Sequence, residues 1–526
     1  MRVDLFFWET ILSMALPAVA NISNPIFWAD FADIDIIRVN DTFYYSASNM
    51  HYSPGAPILR SYDLLNWEFA GHSIPELTFG PKYYLDDGQQ AYIKGTWAST
   101  LQYRPSTSTF HWMGCIDGTT YVYTAPDVGG PWTKASTIST CYYDCGLLIT
   151  SDDKMYVAYG NNGISVAELS EDGLGEVSNQ LVFPSDDAGY LEGSRFYERD
   201  GKFYIFTTHP ANEEHVLMST SGPLGPYERR LLISNAGTPV DGGGYPHQGG
   251  IVATPNGDWY YMAFVDVYPG GRIPVLAPLL WDSDGWPYVE LVDGAWSVTY
   301  DAPVISPPST PVSSFEPYTD TFTGEKLSPQ WEWNHNPDNA NWSLGDGVIL
   351  TTASLTNDLY AAKNTLTHRI LGPISTATIH LNISSMTSGD RAGLALLRHY
   401  SAWIGVVNDG STTRIAVTTG LEMDSEWNTV STGTEIASAD YSNSEVWLRV
   451  EANISPGAGS GQFSYSGDGT TFTDLGGAYS LNSSWEFFMG YRFGIFNYAT
   501  SELGGSVVLK SFDLSVQLLS SDCAGI

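Results

Sequence analysis

Positive charge is scarce in this chain: its 526 residues carry 23 Lys and Arg against 58 Asp and Glu, a formal net charge of −35. Such a polyanion, with no local basic patch, is repelled by nucleic acid and by anionic membrane surfaces, so neither is expected as a partner. Long hydrophobic runs are also missing. None reaches the roughly 18–20 residues that span a bilayer, which excludes an integral protein with membrane-crossing helices. Cysteine is reduced to Cys115, Cys141, Cys145 and Cys523. Four cysteines in a chain this long make no disulfide scaffold, and a single C-x3-C spacing without a second pair argues against zinc. They allow one bridge, between Cys115 and either Cys141 or Cys145. Charged residues of either sign amount to 15%, against about 25% in an average domain. Coiled coils and all-α folds are thereby excluded.

What is plentiful points the other way. There are 52 Gly, 29 Pro, 17 Trp, 32 Tyr and 22 Phe, a mixture suited to short strands joined by tight turns. A polar turn followed by an aromatic-rich strand occurs in five places: NDTFYYSAS, STFHWMGC, DDKMYVAYG, DGKFYIFTT and NGDWYYMAF. Each is preceded by one extended segment (DIDIIRV, WASTLQY, DCGLLIT, EGSRFYE, HQGGIVA) and followed by others. Units of strand, Asp/Asn/Gly turn, strand, loop and strand at a period of about 45–70 residues read as blades of a β-propeller, because one blade cannot bury its own faces. The expected architecture is all-β, a five-bladed propeller over 21–301. A Pro/Ser-rich connector follows over 302–317, with five prolines in APVISPPSTPVSSFEPY. Strands such as WLRVEANI and GSVVLKSFDLSV then predict a second β-domain over 318–520, a two-layer sandwich of jelly-roll or concanavalin-like type.

The first twenty residues suggest a secretory signal, with Arg2, an apolar stretch from Thr10 to Ala20 and the small-residue site Ala18-Val19-Ala20. Sequons at Asn21, Asn40, Asn341, Asn382, Asn453 and Asn482 fit an exported glycoprotein. The chain is expected to be extracellular and monomeric.

The first strand of each blade lines the propeller axis, so residues at its entry face a common funnel. In the five repeats these are Asp33, Trp97, Asp144, Glu192 and His247. Three carboxylates converging on one cavity repel one another, and at least one should keep its proton near neutrality. Glycosidic hydrolysis needs this set: an acid for the leaving oxygen, a base for water on the opposite face of the sugar, and a third group to tune the acid. A carbohydrate-binding propeller without catalysis is the competing class, and it has no need of three equivalent carboxylates.

These residues resemble glycoside hydrolase family 43. FADIDIIRV, YYDCGLLITSDD and LEGSRFY match its three acidic motifs, and NPIFWAD, YSPGAPILRSYDLLNWE, GTWAST, HQGGIV and PGGRIPVLAPLLWDSDGWP extend the likeness over 24–300. YTDTFTG and FGIFNY resemble the sandwich that follows the propeller in some members. The resemblance implies an inverting mechanism with Asp33 as general base, Glu192 as general acid and Asp144 tuning the acid. Asp35, in the same motif as Asp33, is the rival for the base. Substrate contacts are expected from Trp97, Arg272, His51, Phe27, Trp28 and Tyr143. No cofactor is required, although His247 stands where members of the family bind a structural calcium on the axis. Several motifs resemble fungal two-domain α-L-arabinofuranosidases. The implied partner is plant cell-wall polysaccharide, arabinoxylan or arabinan, with β-xylosidase or exo-arabinanase as alternative activities.

Overall fold

The computed structural model describes residues 21–185, 189–305 and 313–517. The proposed signal segment, Cys523 and the middle of the connector lie outside the described residues.

Five antiparallel four-stranded sheets make up the first domain. Each sheet draws its strands from one contiguous stretch of chain. Their first strands are Asp35–Val39, Thr100–Arg104, Gly146–Ile149, Glu192–Arg199 and His247–Ala253. These first strands touch one another in cyclic order, the fifth against the first, so they surround the axis. Turn chemistry sets the register locally. In the fourth blade Arg199 pairs with Lys202 across Asp200 and Gly201, both at positive φ (51° and 71°), the geometry of a tight two-residue hairpin. The ring is closed by a separate ribbon in which Asn21–Ser23 pairs with Thr299–Asp301. The side chain of Asn24 reinforces this clasp by bonding to both Leu276 and Ser297.

The second domain is a sandwich of two antiparallel sheets. Alternation builds its core: along Glu445–Asn453 every second residue, Val446, Leu448, Val450 and Ala452, is buried. One sheet does not end within the domain. Its last strand, Glu332–Asn334, pairs with Tyr52–Ser53 from the first blade, so the sheet crosses the domain boundary. A single apolar cluster likewise runs from Phe31 and Val265 in the propeller to Leu371 and Ile454 in the sandwich. Among the described residues, helix is confined to short 3-10 turns such as Pro81–Tyr84 and Leu359–Ala361. No helix of the described residues is long and apolar enough to cross a membrane.

The disulfide joins Cys115 to Cys141, and Cys145 is a buried free thiol. Its burial pushes the thiol pKa up to about 12.

Charge is buried at the domain boundary. Glu332, fully enclosed, accepts from Arg369 (3.0 Å), from Arg492 and from His72 (3.0 Å). Burial alone would raise its pKa; the two guanidinium groups and His72 outweigh this and hold it well below the usual carboxylate range. Arg369 also donates to the Asp30 carbonyl (2.9 Å), and Arg492 lies over the Tyr52 ring (3.5 Å), so the cluster ties both domains. Removing the central carboxylate strands two buried cations. Glu332→Gln is therefore expected to destabilise the chain by about 3–5 kcal/mol, visible as a large drop in Tm. A Tm within a degree or two of the parent would mean the cluster is not holding the domains together.

Candidate active site

Asp33, Asp144 and Glu192 open into one cavity of about 260 Å³ at the top of the axis. Asp33 and Asp144 lie two residues ahead of their inner strands, and Glu192 is the first residue of its own. Both aspartates adopt left-handed backbone conformations, with φ of 57° and 49°. Non-glycine residues seldom do so, and here the turn aims each carboxyl inward as the chain enters the sheet.

Arg272 grips Asp33 with two bonds, Nη1 to Oδ1 (2.9 Å) and Nη2 to Oδ2 (3.2 Å), and Ser48 donates to Oδ2 (2.5 Å). The carboxylate plane is thereby fixed. Tyr143 donates its hydroxyl to Glu192 Oε2 (3.1 Å). Burial, then the negative charges of Glu192 and Asp33, drive the Asp144 pKa well above the ordinary range, although Arg195 and Arg272 oppose this. Glu192 is also raised, chiefly by burial and further by Asp33, against hydrogen bonds from Tyr190 and Tyr143. The pair Asp144–Glu192 therefore holds a proton to higher pH than isolated carboxyl groups do.

Trp97, Tyr143 and Arg272 line the cavity beside the three carboxyl groups. Three other expected substrate contacts are placed elsewhere. His51 is fully buried at the domain boundary, where its Nε2 meets Asn334 Oδ1 (3.0 Å) and its Nδ1 accepts from the Ile93 amide (3.3 Å). Phe27 stacks on Phe315 from the connector (4.1 Å). Trp28 packs over Gly372 of the sandwich, where an added Cβ would lie 2.6 Å from the indole. All three serve packing between segments, because their short stretches of chain face the connector or the sandwich and not the funnel. Asp35 is also removed as a candidate base: it is enclosed and accepts from Thr100 Oγ1 (2.7 Å) and the Leu101 amide (2.8 Å).

His247 does not face the cavity, and Gln248 does. A bulge between His247 and Gly250 shifts the register, and Gln248 takes a positive φ of 42°. The His247 Nδ1 lies 2.8 Å from the Tyr245 carbonyl and its ring packs on Phe264 (4.5 Å). Calcium takes about six to eight oxygen ligands. Among the described residues no group of three or more His, Cys, Asp or Glu side chains is arranged to hold a metal ion. The carbonyls of Ile34, Asp33 and Cys145 accept instead from Arg195. The residues present do not fit an axial calcium.

Sequence reasoning missed the sandwich's share of the site. Phe488 and Trp485 line the same cavity. The Phe488 carbonyl accepts from Arg272 Nε (3.0 Å) and from the Tyr268 hydroxyl (3.0 Å). Asp30 binds the Arg272 amide (2.8 Å) and the Gly490 amide (3.0 Å), pinning the sandwich loop against the propeller. At the mouth stand two exposed aromatics, Tyr190 at 45% and Trp485 at 59%. No local signal in the sequence assigns Trp485 or Phe488 to the funnel, since the pairing of the domains puts them there.

The family model described as glycosyl hydrolases family 43 matches residues 22–287, and that of the beta xylosidase C-terminal concanavalin A-like domain matches 319–515. A beta-xylosidase of Formosa agariphila is 31% identical over 438 residues, 70% of this chain and 72% of the relative. A non-reducing end alpha-L-arabinofuranosidase of Bacteroides ovatus is 29% identical over 346 residues, 61% of this chain and 62% of its own. Among solved structures, a GH43 glycoside hydrolase engineered to display both endo-xylanase and exo-arabinofuranosidase activity has a TM-score of 0.91 at 44% identity, covering 94% of this chain and 100% of that one.

The shared proton makes a sign-specific prediction. In Asp144→Asn the last proton leaves Glu192 without an adjacent carboxylate to retain it, so the alkaline limb of the pH–rate profile should move to lower pH. Stability should change in the opposite sense. A carboxyl whose folded pKa is raised contributes most below its unfolded pKa and loses that contribution as pH rises through the folded value. Asp144→Asn should therefore raise Tm near pH 7 and leave it unchanged near pH 3. An unmoved limb and an unmoved Tm would show that the two carboxyls do not interact.

Proposed function

The chain belongs to glycosyl hydrolases family 43, and from that premise we propose that it is a secreted enzyme removing α-L-arabinofuranosyl side chains from arabinoxylan with inversion at the anomeric carbon. That it is a glycosidase follows from the family. The sugar, the linkage and the export are the proposal.

In this reading a single pentose enters the cavity, and Asp33, held by Arg272 and Ser48, takes a proton from the attacking water. Glu192 delivers its retained proton to the leaving oxygen. Asp144 shares that proton with Glu192, its own pKa driven up by burial and by the Glu192 charge, and Tyr143 orients Glu192. Trp97 supplies an apolar wall for the sugar face.

The observation that carries the reading is the mouth. A pocket that clips a terminal sugar from a free chain end needs a wall, whereas this one is flanked by the exposed rings of Tyr190 and Trp485, one from each domain. Exposed aromatic faces of this kind suit a polymer backbone running past the cavity, with only its side chain inside. The exo-arabinofuranosidase activity of the 44% identical engineered enzyme supports the same choice. β-Xylosidase is the second reading, favoured by the name of the Formosa agariphila relative.

Assays on an aryl α-L-arabinofuranoside, an aryl β-xyloside and arabinoxylan should show arabinose released from the first and third and little xylose from any. Xylose as the main product would instead establish the second reading. Glu192→Ala should lose about 10²–10⁴-fold on arabinoxylan and far less on an aryl glycoside whose phenol leaves without help. Equal losses on both would remove Glu192 from the acid role. Trp485→Ala should raise KM on arabinoxylan up to about tenfold with the aryl glycoside unaffected.

A further inference from the structure

Behind the carboxylates, the axis is filled by a guanidinium group. Arg195, on the inner strand of the fourth blade, is fully buried. Its Nε donates to the Ile34 carbonyl (2.6 Å), Nη2 to Asp33 (2.7 Å), and Nη1 to both Cys145 (2.9 Å) and Ser194 (2.8 Å). The fourth blade has the third and fifth as neighbours, so a bond from it to Asp33 and Ile34 of the first crosses the axis. The nearest paired carboxylate is Asp35, at 3.9 Å.

We propose that Arg195 is the resident cation of this propeller, a positioning residue that holds the strand entries bearing Asp33, Asp144 and Glu192 in register, in place of the axial calcium that the family resemblance implied. The inference rests on the reading of this cavity as the hydrolytic site.

Its bonds fall where the backbone is strained. Asp33, whose own carbonyl is engaged, has φ of 57°, and the engaged Cys145 carbonyl directly follows Asp144, with φ of 49°. The Ser194 amide completes the link by donating to the Asp144 carbonyl (2.9 Å). Glu192 stands on the same strand as Arg195, three residues away. Close approach is built in here: a Cβ on Gly146 would lie 2.7 Å from the Ser194 carbonyl oxygen. Carbonyl oxygens converging on a central positive charge are a calcium-like environment. A guanidinium group satisfies them with directed N–H bonds and cannot lose its charge at any pH of interest. A histidine on the axis would do neither.

The test uses the full chain, dialysed against EDTA, and whichever aryl glycoside the wild type cleaves. Wild type should keep its kcat and Tm after EDTA and gain nothing from added calcium. Arg195→Met should lose about a hundredfold in kcat, with KM changed only a few-fold. Its alkaline limb should move to higher pH, because the positive charge opposing proton retention by Asp144 is gone. Wild-type kcat in Arg195→Met would overturn the proposal, as would wild-type activity that falls in EDTA and returns with calcium. Should Arg195→Met fail to fold, the calcium arm on the wild type decides alone: kcat and Tm unmoved by EDTA and calcium uphold it, and a rise in both with calcium overturns it. If the wild type cleaves no aryl glycoside, the functional reading fails, while the Tm response to calcium still tests Arg195.

Discussion

Three carboxyl groups in one buried cavity repel each other and resist losing water, and the surrounding architecture answers to that cost. Arg272 meets Asp33 from the fifth blade, Arg195 lies on the axis behind the carboxylates, and the Tyr143 hydroxyl holds Glu192. The compensation is unequal. Asp33 receives two guanidinium bonds and a serine hydroxyl, whereas Asp144 and Glu192 face each other with burial against them. Carboxyl groups in such different surroundings are suited to opposite proton-transfer roles.

The sandwich belongs to this arrangement and is more than an appendage. Its loop carries the Phe488 carbonyl to Arg272 Nε, so the cation that fixes Asp33 is itself fixed from the other domain. Asp30 joins the Arg272 and Gly490 amides, and behind them Glu332 gathers Arg369, Arg492 and His72. A sheet that crosses the boundary at Tyr52–Ser53 and a continuous apolar cluster leave the two domains little room to move independently. Rigid placement of this kind is what a catalytic constellation requires.

Much of this was legible in the sequence, and for identifiable reasons. Blade repeats place strand entries by local pattern, so the sequence alone assigns Asp33, Asp144 and Glu192 to one funnel, with Trp97 beside them. The pattern misplaces His247 because a bulge moves the inward position to Gln248, and an unpaired residue leaves no periodic trace. Phe27, Trp28 and His51 misled because aromatic character does not say which surface a side chain meets; each turns to the connector or the sandwich. Trp485 and Phe488 depend on contacts between domains distant in sequence, and no local rule reaches them. Arg195 sits in a motif read for its glutamate, three residues earlier, and its bonds to the first and third blades exist only once the ring has closed.

At the centre of the account is direct attack by water that Asp33 deprotonates, with no covalent sugar intermediate. The configuration of the product at the instant of release tests this most directly, by proton NMR of the wild-type chain during the first turnovers on an aryl α-L-arabinofuranoside. The account predicts that the inverted, β-configured arabinose forms first and that the α-anomer grows in only by mutarotation. An α-anomer present from the first spectra would mean a double displacement, and Asp33 would then be a nucleophile and not a base.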